Sequence, residues 1–257
     1  MRALRLLARW FGLPILLVGA WWLLTRDGAN FYVPQPGQIL DSLVHVWLGE
    51  LLVSDVVPSL LRLAAALVIS IVVGIGLGAV IGASRRVRWL VEPLLEFMRA
   101  IPATILIPVL LLVIGINDAT KITVIVLGCV WPILLNTIAG VRAIDEVLSD
   151  TGHVYRIEGR ARLMYLTLPG ASPQIMTGIR QSLSVGLILM VVSEMFASTA
   201  GIGFAIIDFQ NRIAIPDMWG GILLLGIIGV ALSALFQTVQ RRILAWYIGL
   251  KEASHDG

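Results

Sequence analysis

Few residues in this chain are of the types that do chemistry, and their spacing excludes most chemistries. His45, His153 and His255 are scattered and Cys129 is the sole cysteine, so neither a zinc site nor an intrachain disulfide is expected. There is no G-x-x-x-x-G-K-[ST] phosphate loop, no H-E-x-x-H helix and no G-x-S-x-G elbow. The run Gly74-Ile75-Gly76-Leu77-Gly78 lacks the full spacing of a dinucleotide fingerprint and no βαβ pattern surrounds it. The chain is therefore not expected to be an enzyme, and no metal or cofactor is expected in it. What remains is charge and amide set in apolar surroundings. Glu96 and Arg99, three apart, pair on one helix face, either as an interfacial ion pair or as part of a gate. Glu194 is the only acid deep within an apolar run, with Ser193 beside it, and Asn136 lies within another. Arg99, Asn136, Ser193 and Glu194 are the candidates for lining a solute path. Packing or capping is the competing role for Glu194, and interhelical hydrogen bonding for Asn136 and Ser193. One deep acid makes no proton relay, which speaks against a self-contained ion-coupled transporter.

Such residues need elements long enough to hold them in a bilayer. Of 257 residues, 58% are hydrophobic and 14% charged, with a mean hydropathy of +0.92. An ordinary soluble domain carries about a quarter charged residues, so this is an integral membrane protein. The net charge of +3 is too small to argue for nucleic acid. Six apolar spans are expected, at about 10–25, 58–83, 89–114, 122–141, 174–198 and 218–239, forming one membrane domain over 1–257. Residues 31–54 predict an amphipathic helix with Ile39, Leu40, Leu43, Val44, Trp47, Leu48 and Leu51 on one face. Pro102 and Pro108 imply breaks in the third span. Gly74, Gly78 and Gly82 share a helix face and predict close approach of another helix. Residues 199–217 predict a loop turned by Gly201 and Gly203.

Between the fourth and fifth spans lies a polar, basic segment, 142–173. A loop of that length is uncommon unless it has a function. It predicts two short amphipathic helices, the second ending at Leu168-Pro169. Orientation follows from the basic residues. Arg2, Arg5, Arg9, Arg85, Arg86, Arg88, Arg142, Arg156, Arg160, Arg162, Arg241, Arg242 and Lys251 fall on one side of the six-span scheme; Arg26, Lys121 and Arg212 fall on the other. The positive-inside rule puts both termini and the 142–173 loop in the cytoplasm.

The loop resembles the signature of the membrane-spanning permease subunit of binding-protein-dependent ABC importers, E-A-A-x-x-x-G, nine residues, then I-x-L-P. Leu166, Leu168 and Pro169 match its end; Asp150, Thr151 and Gly152 take the triplet positions and Arg156 that of the glycine. FYVPQPGQIL, SRRVRWLVEPLLEFMRAIPATILIPVLLL, WPILLNTIAGVRAI, LPGASPQIMTGIRQSL and SEMFASTAGIGF extend the resemblance over nearly the whole chain, toward the branch serving nitrate, taurine, aliphatic sulfonates and pyrimidine precursors of thiamine. The resemblance implies an all-α, six-span, type I importer permease of the cytoplasmic membrane. It implies a second permease chain, identical or paralogous, and an extracytoplasmic solute-binding protein. It also implies cytoplasmic ATP-binding subunits that hold the ATP and magnesium. The loop would then be a coupling helix, with Val147, Leu148, Val154, Tyr155 and Ile157 as apolar contacts and Arg156 and Glu158 at the rim. A helix resting on the bilayer is the simpler alternative for the loop, and a secondary transporter or a membrane anchor subunit for the whole chain.

Overall fold

The computed structural model describes residues 2–26, 31–196, 198–247 and 249, and for residues 2–11 backbone alone. Lys251 and His255 lie outside the described residues. Among those described, the regular structure is entirely helical. The α-helices are α1 (Arg2–Thr25), α2 (Pro36–Ser42), α3 (Val57–Ala83), α4 (Arg85–Ala100), α5 (Ile107–Ile114), α6 (Asp118–Arg142), α7 (Glu146–Val154), α8 (Gly159–Arg162), α9 (Leu168–Phe196), α10 (Ile202–Asn211) and α11 (Ile215–Ile243). Four helical runs are long and apolar enough to cross a membrane: Leu52–Ala83, Asp118–Arg142, Gly159–Phe196 and Ile215–Ile243.

Among the described residues the expected count of six spans is not matched exactly. The third is a bent pair, α4 followed by Ala103–Ile114, with 77° between them, and counting it gives five. The first lies in α1, whose apolar stretch among the fully described residues is Gly12–Thr25. The bend has a local cause. Pro102 pushes Ile101 into an extended conformation, φ −81° and ψ 116°, which ends α4. Pro108 breaks nothing, because it falls in the first turn of α5, where no intrahelical N–H is needed.

The fifth span differs most from expectation. Leu168-Pro169 does not end a helix; a continuous helix runs from Gly159 through Phe196. Leu163–Thr167 widens into a π-helical turn, with the Leu168 N–H bonded to the Leu163 carbonyl. That local unwinding lets the chain pass Pro169 without a clash. At 1.5 Å per residue this helix is roughly 57 Å long, against about 30 Å of hydrocarbon, so part of it projects beyond the bilayer.

Two structural units are distinguishable. The first comprises residues 1–58 and 199–228. Gln35 opens α2 with a capping box, its N–H donating to the Gln38 side chain at 3.1 Å. The helix continues as π-helical turns over Leu43–Glu50 and Leu52–Val56. Of the expected apolar face, Ile39, Leu43 and Trp47 are buried, while Leu40, Val44 and Leu48 are exposed. Trp47 is the centre of this unit. It is fully buried, donates from Nε1 to the Asp217 carbonyl at 2.8 Å, and lies against Phe209, with centroids 5.8 Å apart. Gly220 and Gly221 leave the space it fills. The segment 199–217 is not a plain loop, since it contains α10. Gly201, at φ 128°, is the N-cap of α10, and its N–H donates to the Asp55 carboxylate at 2.7 Å.

The second unit comprises residues 59–198 and 229–257. Its core is the α6–α9 pair, joined where Cys129 and Ser182 meet. The Ser182 hydroxyl donates to the Cys129 carbonyl at 2.7 Å, and the Cys129 thiol contacts the Ser182 carbonyl at 3.3 Å. The glycine face of α3 packs on α6 as the spacing predicts. A Cβ at Gly74 would stand 2.8 Å from Ile133 Cγ2, at Gly78 2.6 Å from Thr137 Cβ, and at Gly82 2.8 Å from Val141 Cβ. Such close approach replaces the hydrophobic drive that lipid cannot supply.

Candidate functional site

Three groups of residues carry the polar features of the second unit. The first is the 142–173 loop. Asp145 caps α7 by accepting from the Leu148 N–H at 3.2 Å. The helix closes in a Schellman arrangement: Arg156 N–H to the His153 carbonyl at 3.0 Å and Ile157 N–H to the Gly152 carbonyl at 2.8 Å. Arg156 is the left-handed residue of that turn, with φ 55°. It occupies the position where the importer signature has glycine, the residue that adopts this conformation without cost.

The loop is folded back on the start of the long fifth helix. Gly152 is buried, and a Cβ there would meet Leu166 Cδ1, the end of a flexible side chain, at 2.7 Å, so the loop approaches the long helix closely at this triplet position. Arg162 ties the two arms together, 2.8 Å from His153 Nε2 and donating to Ser149 Oγ at 2.7 Å. Leu168 is half-buried and Pro169 exposed at the end of the arm. Outward, α7 and its turn present Val147, Leu148, Val154 and Tyr155, with exposures of 73%, 46%, 80% and 74%. Asp150, Thr151, Arg156 and Glu158 are exposed around them and Ile157 is half-buried. The result is an apolar face with a charged rim on a helix stapled by Arg162 and a tight turn.

The second group is an ion cluster in which Ser59, Arg62, Lys121 and Glu194 are buried and Asp118 is exposed. Glu194, fully buried on α9, accepts from Ser59 Oγ at 2.7 Å and from Arg62 Nη1 at 2.8 Å, both on α3. Arg62 Nε also donates to Asp118 Oδ1 at 2.8 Å, and Lys121 Nζ reaches the same oxygen at 3.2 Å from within α6. Three helices are thereby held at one end by alternating charge. The sequence singles out Glu194 but not Arg62, Asp118 or Lys121. The available signal was Arg62 itself, a lone cation inside an apolar run.

The remaining path candidates are dispersed. Ser193 is buried and donates to the Met190 carbonyl of its own helix at 2.9 Å. Asn136 is half-buried and donates to the Pro132 carbonyl at 2.8 Å and to Gln181 Oε1 at 3.2 Å, linking α6 to α9. Arg99 is exposed on α4, donating from Nε to Glu96 at 3.0 Å. Ser193 and Glu194 are neighbours; Arg99 and Asn136 each bond elsewhere. The third group is a cleft of about 380 Å³ between α9 and α11, with Arg180, Ser184 and Ser233 among its lining residues.

Comparison with known proteins agrees with this architecture. A family model described as the binding-protein-dependent transport system inner membrane component matches residues 70–247. The taurine transport system permease protein of Escherichia coli (strain K12) is 28% identical over 243 residues, covering 92% of this chain and 88% of its own length. The bicarbonate transport system permease protein of Synechococcus elongatus (strain ATCC 33912 / PCC 7942 / FACHB-805) is 32% identical over 189 residues, covering 73% and 68%. A Bacillus subtilis (strain 168) protein provisionally named an aliphatic sulfonates transport permease is 26% identical over 236 residues, covering 91% and 86%. With the family model matching well over half of an all-helical, multi-span chain, this protein belongs to the inner membrane component family of binding-protein-dependent transport systems, the ABC importer permeases.

Proposed function

We propose that this chain is the permease of an ATP-driven importer in the cytoplasmic membrane, with both termini and the 142–173 loop in the cytoplasm. Two permease chains, identical or paralogous, enclose the path. A solute-binding protein delivers solute at the outer face, and two ATP-binding subunits dock on the loops. The carrying observation is the outward apolar face of Val147, Leu148, Val154 and Tyr155 on a helix stapled by Arg162. A helix laid in a groove transmits force only if its own base does not yield, and the Schellman turn and the Arg162 contacts supply that base. ATP binding biases the switch between inward-facing and outward-facing states through this contact.

The solute is a small molecule of the sulfonate, taurine or nitrate kind, or a pyrimidine-type heterocycle. The taurine, sulfonate and bicarbonate named in the relatives share an oxyanion group, which favours an anion. Arg99, Asn136, Ser193 and Glu194 are the residues proposed for the path, with Glu194 and its cluster acting as the part of the wall that must move or hold between states.

Docking is tested by purifying the tagged chain in mild detergent, with and without Leu148→Asp and Tyr155→Asp together. A subunit bearing a G-x-x-x-x-G-K-[ST] loop should accompany the wild-type chain and be lost from the double variant. Recovery of no such subunit with the wild type, under conditions that keep the chain folded, would count against the import reading.

A further inference from the structure

We propose that Arg180, with Ser184 and Ser233, forms an oxyanion-binding station for the transported solute, in the cleft between α9 and α11. This deepens the import reading and rests on it. Arg180 lies 12 residues beyond Leu168, the start of α9, about 18 Å along the helix axis. It is exposed, and among the described residues its guanidinium has no hydrogen-bond or ion-pair partner. Arg62, Arg99 and Lys121, in the second unit's helices, are each matched to a carboxylate, and Arg162 is bonded to Ser149 and His153. A cation held within a membrane helix without a counter-ion is costly, and such residues mark solute pathways.

The cleft around it is built to receive a ligand. Its volume of about 380 Å³ falls in the range of small-molecule sites, roughly 300–1,000 Å³. Ser184 sits one turn beyond Arg180 on the same face of α9, and Ser233 faces them from α11. Hydroxyls elsewhere in these helices donate to backbone carbonyls, as at Ser70, Thr137, Thr177, Ser182 and Thr238. Those of Ser184 and Ser233 have no partner among the described residues. The other walls are Leu183, Leu187, Leu232 and Phe236, and no carboxylate lines the cleft. One planar cation with two hydroxyl donors on an apolar wall suits a sulfonate or carboxylate carried on a short apolar body. Neither a cation nor an uncharged heterocycle would use that charge.

The test needs neither the solute's identity nor the ATPase. In the full chain with Cys129→Ser, a single reporter thiol is placed by Ser233→Cys, and the protein is reconstituted in phosphatidylcholine nanodiscs. Labelling rates are compared for the anionic 2-sulfonatoethyl and the cationic 2-(trimethylammonium)ethyl methanethiosulfonates. Each forms the same class of mixed disulfide by thiolate attack, releasing methanesulfinate. Any effect of Arg180 on thiolate content cancels in the ratio of the two rates. The anionic reagent should be preferred, and Arg180→Gln should lower that preference by about tenfold or more. Arg180→Lys should keep most of it, and ethanesulfonate should slow labelling while ethanol does not.

A rate ratio unchanged by Arg180→Gln, or a thiol that neither reagent reaches, would overturn the proposal. So would protection by phosphatidylglycerol in the nanodisc but not by ethanesulfonate, which would make the occupant a lipid headgroup. Anion preference with no ATPase in the co-purification would leave the station standing and remove the import reading instead.

Discussion

Arg156 is one of the residues at which this chain departs from its family's signature, and its backbone lies in the left-handed region. Its φ of 55° places a residue with a Cβ in the left-handed region, where an L-residue other than glycine costs roughly 1–2 kcal/mol. Part of that cost returns as lower chain entropy in the unfolded state, because glycine is the more flexible residue there. Arg156→Gly is therefore expected to tighten the turn by about 1 kcal/mol, read as slower hydrogen exchange at the Arg156-Ile157 amides relative to wild type. Faster exchange in the variant would show that the arginine side chain, not the turn geometry, holds the loop. The residue-level features that sequence conveyed were those with local causes. Asn136, Glu194 and the Glu96–Arg99 pair were visible because type and neighbours suffice to mark them. The partners of Glu194 were not: Arg62 lies 132 positions away, and only helix packing brings the two within 2.8 Å.

At the scale of elements, packing of α3 on α6 depends on glycine being absent of side chain. Gly78→Val would drive a Cβ to within 2.6 Å of Thr137 Cβ, while the neighbouring Gly76 has nothing within 4 Å of its would-be Cβ. Gly78→Val should cost about 1–3 kcal/mol and lower the thermal midpoint in detergent, and Gly76→Ala on the open face should leave it nearly unchanged. Equal effects at the two positions would contradict the packing. This stripe was legible because a repeat of four is a helix face. The helix through Pro169 was not, because proline read alone says stop. The π-helical turn over Leu163–Thr167 that absorbs it leaves no pattern of its own in the sequence. The bend at Ile101-Pro102 was half legible, since proline marks a break without giving its 77° angle. Residues 199–217 were expected to be a loop turned by Gly201 and Gly203, and Gly201 proves to be the N-cap of α10.

At the scale of the whole molecule, the chain has extended apolar helices, and its sequence contains no G-x-x-x-x-G-K-[ST] phosphate loop. Composition conveyed the membrane class, and the resemblance of the loop conveyed the family that the comparisons bear out. We propose that ATP, used by a partner docked on the 142–173 loop, drives solute inward. The most direct measurement is uptake into proteoliposomes containing the purified assembly and its binding protein. A panel of labelled taurine, ethanesulfonate, nitrate, bicarbonate and hydroxymethylpyrimidine would be supplied outside, with ATP or a proton or sodium gradient as the alternative energy source. One of these should accumulate only when ATP is present on the face carrying the 142–173 loop, with uptake abolished by Leu148→Asp and Tyr155→Asp together. Accumulation driven by an ion gradient without nucleotide, and insensitive to those substitutions, would contradict it.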